Sequence, residues 1–575
     1  MPDRLNSGLE GERAWTGSGR VRRCRRAKRF KMSRSSRIDM IRLIVKDGRI
    51  RAMALGLAAL LLLGSCLARH QDGRDAVEEM VRSMSVEEKV GQLFMIGIPG
   101  PDLDGRTVER ILERHVGSFV LFTKNCPDPE SVARLTAGLQ ETAALTRLKI
   151  PVLVAIDQEQ GRVTRLTTGV TLFPANYGLG RTADTANACE AARVTGAELA
   201  ALGLSLDLAP VADVNSNPDN PIIGVRSFGE DPDQVAEMTA AAVRGYALAG
   251  EGSCLKHFPG HGDVDMDSHL DLPVLHKTLA ELEAVELVPF RSGIEAGAPA
   301  VMTAHILYPA LDPDRPATAS RAVLQDILRS MLGFRGVVIS DALDMQALSK
   351  HFDLPSLTVE IVNAGCDLLL FSENLPCPFT FEELLEPVLE AARSGAISRA
   401  RLDEAVTRVL RLKDRFVRPP LPPEELGRVL RTAEHLARER EITLEVLGVN
   451  TDAGLFPVPV RAEGAALVTD RTRFLDFVPW MPGPRALVRS AEDEPVFRQA
   501  LEGAGEVWIL AGSRPLVDMS AKVLAGRDLT VRFFSLNDPY LERELPFVRS
   551  SYLNLFGEWV ALGPAGEFVA GPGGN

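Results

Sequence analysis

The chain has 575 residues, 65 Lys and Arg against 77 Asp and Glu, a net charge of −12 and 45% hydrophobic residues. These are the proportions of an ordinary globular protein of two or three domains, and the acidic balance excludes nucleic acid as a partner of the folded part. Apart from Cys66, the cysteines (Cys24, Cys126, Cys189, Cys254, Cys366 and Cys377) are scattered and form no CxxC pair, which excludes a disulfide framework or a zinc site read from spacing.

The N-terminal region is the first element. Residues 20–37 are crowded with Arg and Lys, and Met32 and Met40 lie shortly before a signal-like segment. The basic stretch therefore reads as sequence upstream of the true start or as an unusually long n-region. Arg42, Lys46, Arg49 and Arg51 precede the apolar run Ala52 to Leu63, which is shorter than the ~20 residues of a spanning helix. Leu63-Gly64-Ser65-Cys66 resembles the bacterial lipobox, which implies cleavage before Cys66, acylation of its thiol and a membrane-anchored, exported lipoprotein at the periplasm or cell surface. Residues 1–66 are thus expected to be a basic leader and lipoprotein signal peptide.

Eight short apolar runs follow between Gly91 and Phe371, beginning near Gln92, Gly117, Pro151, Ser205, Ser253, Ala300, Gly336 and Cys366. Helix signals fill the gaps. Ser85-x-x-Glu88 and Thr278-x-x-Glu281 read as capping boxes, and Asp128-Pro129 and Asp231-Pro232 place an N-cap before a first-turn proline. Eight alternating units predict an α/β fold, a TIM-like (β/α)8 barrel over residues 67–418. Asp157, Asp213, Lys256-His257, His305 and Asp341 end or follow successive runs, and in a barrel those ends share the face that carries active sites.

A helical stretch from Leu402 to Phe416 leads to Pro419-Pro420-Leu421-Pro422-Pro423, so residues 419–440 read as a Pro-rich linker and helix. Strand-like runs at Ala465–Thr469, Ala486–Arg489, Val507–Ala511 and Leu529–Phe534 predict a smaller, divergent α/β domain over residues 441–575.

The densest chemical signal is Lys256-His257-Phe258-Pro259-Gly260-His261-Gly262-Asp263, followed by Asp267-Ser268-His269. His257 and His261 have the i, i+4 spacing of zinc-binding helices. Pro259, Gly260 and Gly262 argue against a helix there and no HExxH accompanies them, so no metal is expected. This block, KHFPGHG followed by DSH, resembles the β-N-acetylhexosaminidase branch of glycoside hydrolase family 3. Similar segments are MSVEEKVGQLFMIG from Met84, IDQEQGRVTRL from Ile156, LAPVADV from Leu208, IGVRSFGEDP from Ile223 and VVISDALDM from Val337.

The resemblance implies a retaining exo-glycosidase that releases terminal N-acetylglucosamine, with no cofactor. Asp341 matches the nucleophile of the family, and His269 paired with Asp267 matches its acid/base. Asp157, Arg165, Arg226, Lys256 and His257 match the sugar subsite, while Asp213 and His305 read as structural. One departure is Glu159-Gln160-Gly161 where the family has EGG, so the loop beside Asp157 is expected to differ in shape. The alternatives are a family 3 β-glucosidase with a carboxylate acid/base from the second domain, an N-acetylglucosaminide phosphorylase, and an inactive sugar-binding lipoprotein. The natural substrate and the oligomeric state are open.

Overall fold

A computed structural model of the chain describes residues 76–449 without a break and, beyond them, residues 493–502 and seven strands. The leader, the apolar run and Cys66 lie outside the described residues. Among the described residues no helix is long and apolar enough to cross a membrane.

Eight strands appear at the expected places: β1 (Phe94–Gly97), β2 (Ser118–Leu121), β3 (Leu153–Ile156), β4 (Leu206–Asp207), β5 (Gly252–Phe258), β6 (Ala300–Thr303), β7 (Val337–Ile339) and β8 (Leu369–Phe371). All neighbours are parallel and run in chain order from β1 to β7, with β8 beside β1. A parallel bridge between Ile339 and Leu368 joins the two ends, so the sheet is a nearly closed barrel. The helical signals hold as well. Ser85 and Thr278 form reciprocal capping boxes with Glu88 and Glu281, and Asp128 and Asp231 cap helices that begin with a proline.

Side chains alternate across a strand with period two. Met95, Val120, Leu153, Ala155, Cys254, Ala300, Met302, Val337, Ile339 and Leu370 form one buried cluster, the barrel interior. Phe94, Ile96, Phe119, Leu121, Val154, Ile156, Val301, Val338 and Phe371 belong to the other, packed under the surrounding helices. Val409, Leu412 and Phe416 of the helix Arg399–Phe416 join the interior cluster and plug one end. Interior packing therefore closes the barrel at that end, and the polar residues that continue the inward phase gather at the other.

The expected division after residue 440 falls inside a continuous helix, Ala433–Val449. Its Ile442 and Val446 are buried in one cluster with Phe173, Leu179 and Val235, which keeps the helix on the barrel. The Pro-rich segment is also docked, since the Leu421 N–H donates to the Ala201 carbonyl at 2.8 Å. Farther on, Ala465–Thr469 (β9), Arg485–Leu487 (β10), Glu506–Ala511 (β11), Thr530–Ser535 (β12) and Arg549–Tyr552 (β13) form a parallel sheet in the order β10-β9-β11-β12-β13.

Candidate active site

The open end of the barrel holds a cavity of about 280 Å3. Its lining follows from strand phase. Leu153 and Ala155 point inward on β3, so Asp157 does too; Cys254 sets Lys256 on β5, and Val337 and Ile339 set Asp341 just beyond β7. Phe122 and Ser372 continue β2 and β8 in the same way. Asp157, Arg165, Arg226, Lys256, His257, His269 and Asp341 all line this cavity. Asp267 stands behind His269 and reaches the site only through it.

A chain of ion pairs runs along one wall. Asp157 accepts from Arg165 Nη2 at 2.9 Å and from Lys256 Nζ at 2.7 Å. Lys256 also meets Glu159 Oε1 at 2.5 Å, and Glu159 accepts a two-pronged contact from Arg226, Nε at 2.8 Å and Nη2 at 2.9 Å. Burial pushes the Asp157 and Glu159 carboxyls up, but the facing cations outweigh it and hold both below the usual carboxylate range. Burial works against charge on Lys256, yet Asp157 and Glu159 raise its ammonium to about 12. The wall therefore presents fixed charges in alternation, with geometry already set.

Glu159 escaped the sequence reading. It is fully buried, and its position two residues after Asp157, on the hairpin Gln158–Gln160 and Val163–Thr164, was the available signal. The neighbouring departure from EGG has a physical answer. Gln160 adopts φ of +72°, a region costly for a side chain. Its amide offsets that cost by donating to Thr195 Oγ1 at 2.9 Å and accepting from the Phe173 N–H at 3.1 Å.

His257 is oriented from behind. Asp213, buried and absent from the cavity lining, accepts from the His257 N–H at 3.1 Å, from the His261 N–H at 2.7 Å and contacts His257 Nδ1 at 2.8 Å. Asp213 thus holds the KHFPGHG turn and one imidazole together. Gly262 lets that turn close, because a Cβ there would lie 1.6 Å from the Val214 carbonyl oxygen. His261 also lines the cavity, and burial pushes its imidazole down to about 4, so it is neutral near pH 7. Its Nε2 lies 2.9 Å from Ser268 Oγ, and its buried Nδ1 has no partner among the described residues. His305 stays outside the cavity, between Thr318 Oγ1 at 2.7 Å and the Ala342 carbonyl at 3.1 Å, bracing the backbone beside Asp341.

Burial raises the Asp341 carboxyl, but His257, His305, His269 and the Ala342 N–H outweigh it and keep the group below its ordinary value. Across the opening, His269 sits on a solvated loop with its side chain 48% exposed. Its N–H and its Nδ1 both meet Asp267 Oδ1, at 2.7 and 2.9 Å, which sets the ring. An ionised carboxylate, an imidazole with its own carboxylate, and a wall of hydrogen-bonding charges thus surround one small polar space. Among the described residues no three His, Cys, Asp or Glu side chains stand close enough to hold a metal.

The family model described as "Glycosyl hydrolase family 3 N terminal domain" matches residues 85–412. Beta-hexosaminidase A of Pseudoalteromonas piscicida is 34% identical over 379 residues, 63% of each chain. Beta-hexosaminidase of Stenotrophomonas maltophilia (strain R551-3) is 38% identical over 316 residues, 54% of this chain and 90% of that one. The solved structure of a glycoside hydrolase family 3 beta-N-acetylglucosaminidase from Paenibacillus sp. str. FPU-7 superposes with a TM-score of 0.74 at 33% identity, covering 84% of this chain and 95% of that one.

Proposed function

The chain belongs to glycosyl hydrolase family 3, and from that membership we propose a retaining exo-β-N-acetylhexosaminidase that releases terminal N-acetylglucosamine from cell-wall fragments or chitooligosaccharides. The observation that carries this reading is that Asp341 and the Asp267-oriented His269 line one cavity, closed below by the barrel core. A blind cavity of about 280 Å3 suits one terminal sugar ring rather than an internal stretch of chain.

In this reading Asp341 attacks the anomeric carbon; the C1–O(carboxylate) bond forms as the glycosidic bond breaks, and the departing oxygen takes a proton from His269 Nε2. His269 then accepts a proton from water, whose oxygen attacks C1, and Asp341 leaves with the sugar in its original β configuration. Asp267 keeps Nδ1–H occupied and steadies the charged ring. Asp157 accepts sugar hydroxyls, while Arg165, Arg226, Lys256 and His257 donate to hydroxyl or acetamido oxygens.

A second reading keeps the sugar and replaces water with phosphate. The imidazole of His269 repels an incoming anion less than a carboxylate in its place would. Full-length protein assayed on aryl β-N-acetylglucosaminide and aryl β-glucoside, each with and without phosphate, separates the readings. Faster turnover of the N-acetylglucosaminide with free sugar as product supports hydrolysis. A sugar 1-phosphate supports the second reading, and preference for the glucoside defeats both.

Leu63-Gly64-Ser65-Cys66 also supports export as a lipoprotein. Cys66→Ser should move the protein from the membrane fraction to the soluble one, with loss of the acyl mass from the N-terminal peptide; an unmodified wild-type N-terminus would defeat the anchor.

A further inference from the structure

The segment that carries His269 has little apolar support of its own, for Met266, Leu270 and Val274 are 42%, 58% and 45% exposed. Such a loop opens at small free-energy cost unless polar contacts hold it. Its base is tied down: Asp263 accepts from Ser216 Oγ and from Lys277 Nζ, both at 2.9 Å. On its inner side Ser268 is buried and meets the neutral His261 ring.

The outer side is held by residues that follow Asp341. The Ala347 N–H donates to the Ser268 carbonyl at 3.3 Å, Lys350 Nζ donates to the Leu270 carbonyl at 2.7 Å, and His351 Nε2 meets Asp271 Oδ1. These contacts land on both sides of His269 in sequence. The segment that makes them is itself anchored, with Leu343, Met345 and Leu348 buried and the Leu343 N–H bonded to the Leu370 carbonyl at 2.8 Å.

We propose that residues 347–351 are a latch that holds the acid/base loop over the cavity, with Lys350 and His351 as positioning residues outside the chemistry. The proposal rests on His269 being the acid/base. Because the latch starts from the strand end that carries Asp341, it sets the spacing of the two reacting groups directly. Exposed ion pairs contribute little to global stability, so the expected effect falls on loop position rather than folding.

The test uses full-length Lys350→Ala/His351→Ala. Hydrogen exchange over residues 264–272 should accelerate severalfold while the barrel strands keep their protection. A general acid matters most for a basic leaving group, so kcat/KM for chitobiose should fall about tenfold, whereas the burst with a dinitrophenyl glycoside should change less than about twofold. Lys350→Arg/His351→Ala retains the donor to the Leu270 carbonyl and should recover most of the chitobiose loss. Asp271→Asn weakens the His351 contact from the loop side and should reproduce part of the exchange change. Unchanged exchange at 264–272, or equal losses on both substrates, would overturn the latch. If the wild type cleaves no N-acetylglucosaminide, the functional reading fails, and exchange alone still decides whether the latch exists.

Discussion

Glu159→Gln is the substitution whose consequence the structure sets most tightly. The side chain is fully buried and faces Arg226 through two contacts and Lys256 through one. Glutamine keeps the volume but turns one acceptor into a donor aimed at a cation, which leaves Arg226 without its carboxylate partner and Lys256 with Asp157 alone. Removing one partner of a buried ion pair costs about 3–5 kcal/mol. In a barrel of this size that loss should lower Tm by about 5 °C. The Lys256 ammonium offers an independent signature. Its folded value of about 12 exceeds the ordinary 10.5, so its stabilisation is present below pH 10.5 and is lost as pH rises through about 12. Without Glu159 the ammonium is less well held, so alkaline unfolding should begin at lower pH. Thermal unfolding across pH 7–12, with kcat/KM on the aryl N-acetylglucosaminide, checks both. A Tm within about 2 °C of wild type together with unchanged kcat/KM would refute the reasoning, because Asp157 alone would then suffice for the wall.

Three further outcomes follow from the site. Asp341→Asn should retain the fold and lose nearly all turnover, and a slow 2-fluoro sugar should label Asp341 in the wild type; a label on another residue refutes its role as nucleophile. His269→Ala should lose about 10²–10⁴ in rate on a disaccharide yet still give a burst with a dinitrophenyl glycoside, with azide accelerating the slow second step and yielding a β-glycosyl azide. Asp267→Asn should show a milder form of the same pattern, and equal losses on both substrates without azide rescue would show that His269 only binds sugar. His261 is held neutral with a folded value of about 4 against an ordinary 6.5, so the unfolded chain binds its proton first. Stability should fall as pH drops from 6.5 to 4, and His261→Asn should flatten that slope in acid thermal melts; an unchanged slope refutes the assignment.

Much of the barrel was legible because each strand is a local pattern. Runs such as Leu153–Ile156 and Val337–Ile339 announce themselves by branched apolar residues, and a period of two carries the inward direction on to Asp157 and Asp341. The gathering of polar residues at strand ends was likewise visible, since barrel closure puts all those ends on one face.

Other features depend on which distant segments meet. Glu159 looked like part of a variant loop until folding placed it against Arg226 and Lys256, whose separation in sequence hides the pairing. Asp213 and Asp157 are both aspartates at strand ends, yet one faces backbone N–H groups behind the wall and the other faces the cavity; only the tertiary position assigns their work. The boundary expected after residue 440 rested on the Pro-rich run and the strand-like segments beyond it, and only the fold shows the helix Ala433–Val449 running across it with Ile442 and Val446 buried on the barrel. The sequence by itself determined the strand order, the inward phase and the chemical residue types, all of which follow from local spacing. Tertiary structure decided charge state, orientation and which loops brace one another, because those properties arise from burial and contact between residues far apart in the chain.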